Sequence, residues 1–419
     1  MKKTIHIVLG ICAWLGAAQV CFAGSTQVDA LIEKLVEKNI LTKSEAIKLK
    51  GEIAADEKLA REEGMKQSLP DWVQKLKLTG DFRLRHEWSK RNDSTDTDRS
   101  RGRLRYRLGL ETKVFDTFTV AAGLASNGGS PRSTNQSFTD TFAKSSINLD
   151  YAYGQWTPNE YLTLTGGKMK IPFWQAADML WDSDITPEGG AANLSYKVNE
   201  SFKLFNNIGV FVLEEAAGDP TDPFMYLIQP GIEAKAGDLS LKTAFTYYGF
   251  SDGQGKTILD NRSSPTTNTT SGTQYKFEYD SYAVDTDLSF NKPLRFLGEQ
   301  ISSHVPTIGA FGQYIHNPEA PDENTGWIAG MYVGDKKVNG KKQWQAKFSY
   351  RKLGRDAWLD VFPDSDFYGG ATDVEGYEAI LEYGLSKNVI LGIDYYRSKR
   401  LSAAETPESV LQTDLNFKF

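Results

Sequence analysis

From residue 76 to the end of the chain, apolar and polar residues alternate with period two, the pattern of strands that show one face to an apolar medium and the other to water. Sixteen such runs are delimited: 76–88, 101–114, 118–126, 147–156, 161–169, 190–198, 202–213, 224–235, 239–248, 275–290, 307–316, 325–334, 343–353, 374–385, 389–399 and 409–419. In the last of them Leu411, Thr413, Leu415, Phe417 and Phe419 fall on one face, and Gln412, Asp414, Asn416 and Lys418 on the other. The connections alternate too. Tight turns such as Phe115-Asp116-Thr117, Asn199-Glu200-Ser201, Ala236-Gly237-Asp238 and Ser386-Lys387-Asn388 take turns with long polar stretches such as Asn127 to Ser146, Gly249 to Gln274 and Gly354 to Asp373. A soluble sandwich has no reason to sort its loops by parity, whereas a barrel with short turns at one membrane face and long loops at the other does. Two places break the pattern. Asn291 to Pro306 is long where a short turn is due, which implies a small helix around Pro293 to Ile301 or a miscount by two strands, and the tenth run changes phase at Asp280-Ser281, which implies a bulge.

Residues 24–75 follow a different period. Leu31, Leu35 and Val36 share a helical face, Thr42-Lys43-Ser44-Glu45 has capping-box spacing, and Ile47, Leu49, Ile53 and Leu59 continue the apolar stripe beyond it. The stripe is too narrow for a globular core, so a coiled coil or helical pair is expected, ending at Pro70-Asp71. Spacer, trimerising or envelope-tethering stalk, and lumenal plug all remain open for this segment. Residues 1–23 read as a secretory signal: Lys2 and Lys3, an apolar stretch from Ile5 to Val20 broken by Gly10, Gly16 and Gln19, and Ala23 before Gly24. The expected division is therefore 1–23 signal peptide, 24–75 periplasmic helical segment and 76–419 transmembrane barrel.

Composition changes this picture in three ways. Both cysteines, Cys12 and Cys21, fall inside the signal, so a processed chain carries no disulfide and no thiolate metal site. Without Lys2 and Lys3, the 48 basic residues become 46 against 54 acidic ones, a formal charge of −8 that argues against a nucleic-acid partner. No stretch after the signal has eighteen uninterrupted apolar residues, which excludes a helical membrane protein. The mean hydropathy of −0.44 does not exclude a barrel, whose lumenal residues dilute its lipid-facing ones.

The first two strands fix which face is which. In LKLTGDFRLRHEW, Leu76, Leu78, Phe82 and Leu84 oppose Lys77, Asp81, Arg83, Arg85 and Glu87; in RGRLRYRLGLE, Leu104, Tyr106, Leu108 and Leu110 oppose Arg103, Arg105 and Arg107. A lipid-facing Arg near the midplane costs about 2–4 kcal/mol, so three in one strand would offset the stability of a typical domain. They must face the lumen, where water can hydrate them and they can act on passing ions. After the fifth strand, GGKMKIPFWQAADMLWDSDITPEGG carries Asp178, Asp182, Asp184 and Glu188 among Phe173, Trp174, Met179 and Trp181. That many large apolar residues favour a loop folded into the barrel, setting carboxylates opposite the arginines; the alternative is an external loop at the membrane interface or a subunit contact.

These stretches, with LWDSDITPEG and the leader LIEKLVEKNILTKSEAIKLKGEI, resemble the putative porins of Gram-negative outer membranes, and the terminal Phe is similar to the closing-strand signal of outer-membrane barrels. The resemblance covers the signal, the leader and the first third of the barrel. It implies a sixteen-stranded, usually trimeric barrel that passes small hydrophilic solutes, set among outer-membrane lipid and lipopolysaccharide, with no cofactor.

His86, His304 and His316 have no nucleophile motif beside them, so an enzyme is not expected. Asp93, Asp96 and Asp98 lack the Gly and terminal Glu of a calcium loop and read as solvated. Energy-coupled transport lacks a plug-sized domain before the first strand. A structural barrel that tethers the membrane to the cell wall through residues 24–70 is the rival, and a sheath around an electron-carrying partner is a third class.

Overall fold

The computed structural model describes residues 24–38, 41–53, 70–91, 98–126, 129–215, 222–256, 267–298, 302–402 and 406–419. The signal segment 1–23 and the Asp93–Asp96 part of the first long connection lie outside the described residues. The chain divides into two units, Met1–Gln74 and Lys75–Phe419.

In the first unit α1 spans Gly24–Glu37, α2 is described over residues 43–53 and α3 is the short Asp71–Gln74. The capping box forms as its spacing requires. Thr42 donates its N–H to Glu45 Oε2 at 2.9 Å, and Glu45 N–H returns to Thr42 Oγ1 at 3.3 Å. Ile32 of α1 and Ala46 of α2 are buried, and Lys50 meets Glu33 at 3.5 Å, so the two helices form a pair. Leu31 and Ile47 stay exposed.

The second unit is a closed antiparallel barrel of sixteen strands. They are β1 (Lys77–Arg91), β2 (Asp98–Phe115), β3 (Phe118–Ser126), β4 (Ile147–Asn159), β5 (Leu162–Lys168), β6 (Glu188–Asn199), β7 (Phe202–Val212), β8 (Phe224–Ala236), β9 (Leu239–Ser251), β10 (Ser281–Asn291), β11 (Thr307–His316), β12 (Thr325–Gly334), β13 (Trp344–Leu353), β14 (Val374–Ser386), β15 (Val389–Arg400) and β16 (Glu408–Lys418). Each pairs with its sequence neighbour, and β16 pairs with β1 in a continuous register from Asp81 opposite Lys418 to Arg91 opposite Glu408. Closure removes the exposed edges an open sheet would carry. At the seam Gly80 and Phe419 exchange backbone hydrogen bonds of 2.8 and 3.0 Å, and the Phe419 ring lies where a side chain at position 80 would be, so this position requires glycine.

Two expectations change. Strand β10 begins at Ser281, and residues before it belong to a loop holding a small hairpin, Thr270–Ser271 with Gln274–Tyr275; the phase change at Asp280-Ser281 is therefore a loop boundary rather than a bulge. The 292–306 connection hides no extra strands among its described residues and carries a 3₁₀ turn at Arg295–Leu297. A second turn on that rim, residues 335–343, is also long.

Outward side chains form the band a bilayer needs: Leu78, Leu84, Leu110, Leu204, Ile228, Leu288, Ile308 and Leu381 are all exposed. Aromatic girdles flank it. Tyr226, Tyr247 and Tyr282 neighbour one another near the long-loop rim, as do Trp327, Tyr350 and Tyr377, while Phe115 with Phe118 and Tyr161 with Tyr196 mark the other.

Candidate functional site: the lumen

Alternation places the arginines of β1 and β2 inside, and the register sets Arg83 opposite Arg105 and Arg85 opposite Arg103. Like charges directly across a ladder repel. Carboxylates interleaved with them remove the cost. Arg85 grips Asp414 of β16 through two bonds of 2.7 and 2.8 Å and reaches Asp366 at 2.9 Å. Arg83 bonds Asn416 at 2.8 Å and lies 3.3 Å from Asp414. Arg103 and Arg101 share Glu87, the former at 2.9 Å. Arg105 and Arg107 share Asp81, each at 2.8 Å, and Arg107 also reaches Asp184 at 3.1 Å. Six guanidiniums thus face five carboxylates, leaving one net positive charge along the column.

The loop at residues 169–187 folds into the lumen, and its apolar residues account for this. Met179, Leu180 and Trp181 are fully or almost fully buried. Trp181 stacks on Phe362 of the 354–373 loop at 4.4 Å, and Trp358 donates its indole N–H to Leu180 O at 2.8 Å. The wall anchors the loop through its backbone. Gln229 of β8 accepts Trp174 N–H at 2.9 Å and donates to Trp174 O at 2.7 Å, and Asp285 of β10 accepts Ala176 N–H at 2.8 Å.

The four acidic residues expected opposite the arginines separate. Asp184 contacts the column directly through Arg107, and its other oxygen accepts Thr134 N–H and Oγ1–H at 3.0 Å. Asp182 accepts Ser365 N–H at 2.8 Å and Asp184 N–H at 2.9 Å, and touches no arginine among the described residues. Asp178 pairs with Arg351 of β13 at 2.9 Å, away from β1 and β2. Glu188 opens β6, is exposed, and meets Lys168 at 2.9 Å rather than an arginine. The acids therefore do not stand across a gap from the arginines as one row. The one in contact neutralises them. Burial works against ionising Asp178, but Arg351 holds its carboxyl below the usual range; Asp182, where burial and then Asp184 oppose ionisation, is pushed up to about 7.

Sequence reasoning missed Arg351, Asp366 and Asp414 as partners. Asp414 was legible as an inward residue of the last strand; the 354–373 loop offered only Trp358 and Phe362 as a hint of a second inward fold.

Between β1, β2, the start and end of the 169–187 loop, the 335–343 turn and the end of β16 lies a cavity of about 550 Å³, lined by Asp81, Arg107, Asp150, Lys170, Asp184, Lys337 and Lys418 among others. On the other side Trp181, Trp358, Tyr248, Phe211 and Met225 belong to one buried cluster, and a smaller cavity of about 300 Å³ lies against Trp181, Phe211, Met225 and Phe362. Among the described residues no cluster of three His, Cys, Asp or Glu could hold a metal ion.

A family model described as "Putative porin" matches residues 89–284 and 268–419. Among solved structures, the chain is similar to Pseudomonas putida OprB at high pH, with a TM-score of 0.52 and 11% identity over 82% of this chain and 94% of that one. It is also similar to the outer membrane channel DcaP of Acinetobacter baumannii, with a TM-score of 0.45 and 14% identity over 82% and 97% of the two chains. At such identities the OprB likeness supports the barrel fold and nothing finer. No curated protein matches.

Proposed function

Because the chain belongs to the Putative porin family of outer-membrane β-barrel channels, we propose that it lets small hydrophilic solutes or ions diffuse passively along the charged side of its lumen. The observation that carries this reading is the inward arginine column beside a cavity that the inner loop leaves unfilled. In this reading Arg83, Arg85, Arg103, Arg105 and Arg107 line one wall, and Asp184 narrows the path from the inner loop. Asp182 and Asp178 act behind it, holding the loop in place. Glu188, paired with Lys168, takes no part.

The same reading gives residues 24–75 a periplasmic place after removal of residues 1–23. The helical pair leaves Leu31 and Ile47 uncovered, which supports assembly of the leader within a homotrimer. The girdles support contact with outer-membrane lipid and lipopolysaccharide. Reconstitution of the purified full chain into planar bilayers tests the proposal. Discrete, ohmic conductance steps are expected; folded, heat-modifiable protein that leaves bilayers sealed would favour the tethering alternative, in which the leader contacts the cell wall.

A further inference from the structure

We propose that the charge selectivity of this pore is set by Lys170, Lys337 and Lys418, which together form a transient docking place for small organic anions carrying two or more negative charges. This rests on the diffusion reading above and names the solute class of the same cavity. The arginines are the more conspicuous cations, but they are spent on one another's neighbours. Five carboxylates within ion-pair distance cancel most of six guanidiniums, and the Arg85, Arg103 and Arg105 side chains are only 5 to 10% exposed. A paired, desolvated charge presents a dipole to a passing ion, and its field fades within a few ångströms in water.

The three lysines differ on every count. Each is exposed, and none has a carboxylate within ion-pair range among the described residues. They come from separate parts of the fold: Lys170 from the start of the inner loop, Lys337 from the 335–343 turn, Lys418 from the end of β16. Their contacts leave the charge uncancelled. Lys418 donates to Asn339 Oδ1 at 3.2 Å, and Lys170 lies 4.8 Å from the centre of the Tyr151 ring. Of the side-chain acids on the same cavity, Asp81 and Asp184 are engaged by Arg105 and Arg107, which leaves Asp150 as the one side-chain carboxylate without an ion pair, with the terminal residue Phe419 also on the lining, facing three ammonium groups. A hydrated cavity with that balance raises the local concentration of anions, and ammoniums on flexible stems from three directions can bridge two anionic groups of one solute.

The test uses the full chain in planar bilayers under a KCl gradient. Wild type should show a reversal potential on the chloride side. The triple variant K170Q/K337Q/K418Q should lower the chloride-to-potassium permeability ratio about threefold or more. Malonate should reduce the KCl current of wild type at a lower concentration than acetate does, and the triple variant should lose that difference. In a chain with Cys12 and Cys21 replaced by Ser, Lys337→Cys should lose part of the selectivity, regain it with a cationic methanethiosulfonate and invert it with an anionic one. Conducting channels whose reversal potential ignores all of these changes would overturn the lysine assignment while leaving the porin reading intact. Folded protein that never conducts would overturn the porin reading itself.

Discussion

The inward faces of β1–β3 and of β7–β13 obey the same alternation, yet one side of the lumen is a charged column beside the larger cavity while the other, the dry side, is packed largely with apolar and aromatic side chains around a smaller one. On the first side the inward residues are Asp81, Arg83, Arg85, Arg103, Arg105 and Arg107, which meet partners but leave room beside them. On the second they include Phe211, Met225, Tyr248, Phe311 and Ile328, onto which two loops lay Trp181, Trp358 and Phe362, with Gln229, Asp285 and Arg351 among them bonding the 169–187 loop. Strand pattern decides only which face turns inward. What the inward face is made of decides whether a loop can seal on it, because burying an aromatic gains free energy against a largely apolar wall, whereas covering a column of ion pairs adds a desolvation cost.

The dry side can be broken most directly at its pin. Arg351 is 3% exposed and holds Asp178 at 2.9 Å and Glu378 at 3.1 Å, with its guanidinium 4.2 Å from the centre of the Phe367 ring. Arg351→Ala strands these carboxylates and should cost about 3–5 kcal/mol. The expected readouts are a lower heat-modifiability midpoint and new proteolytic cuts within residues 169–187. Unchanged protection of that loop would show that aromatic packing alone seals this side. Trp181→Ala tests the complement. It removes the ring stacked on Phe362 and should cost about 3 kcal/mol or more, with conductance rising as water enters the vacated space.

Arg105→Ala probes the charged side and should matter less. Asp81 keeps Arg107 at 2.8 Å after the change, so no carboxylate is stranded and a loss of about 1–2 kcal/mol is expected, measured by the same heat-modifiability shift. A loss matching that of Arg351→Ala would mean that the two sides are equally dry, and the comparison would fail.

How much of this difference could be read from the chain follows from the same physics. Inward arginines were legible because hydrocarbon forbids the other choice, and sixteen strands because period two and turn chemistry are local. The inner loop was legible from its tryptophans. Pairing was not. Asp414, Asp366 and Glu87 reach their arginines through register and through a loop more than 250 residues away from Arg85 in the chain, and no local pattern carries that information. The expectation of acids opposite arginines held only for Asp184 for this reason: composition gave the charges of 178–188 but not that Asp178 reaches Arg351 and Glu188 opens a strand and pairs with Lys168.

The finest test lies where the two sides meet, at Asp182. Burial, and after it the neighbouring Asp184, push its carboxyl up to about 7, so the folded loop holds a proton that the unfolded loop has already released at intermediate pH. Native binding of the extra proton means that the loop packing is most stable below about pH 4 and weakens as pH rises through about 7, the opposite of an arginine-paired carboxylate. Raising the pH from 5 to 8 should therefore increase open-channel current noise modestly, as the ionised and buried Asp182 is repelled by a second anion, Asp184, on the same loop. Asp182→Asn keeps an acceptor for Ser365 N–H and removes the titration, so it should flatten this dependence while leaving the Arg351 pin in place. A pH response that survives the substitution would move the sensitive group elsewhere and leave the boundary between the wet and dry sides fixed by packing alone.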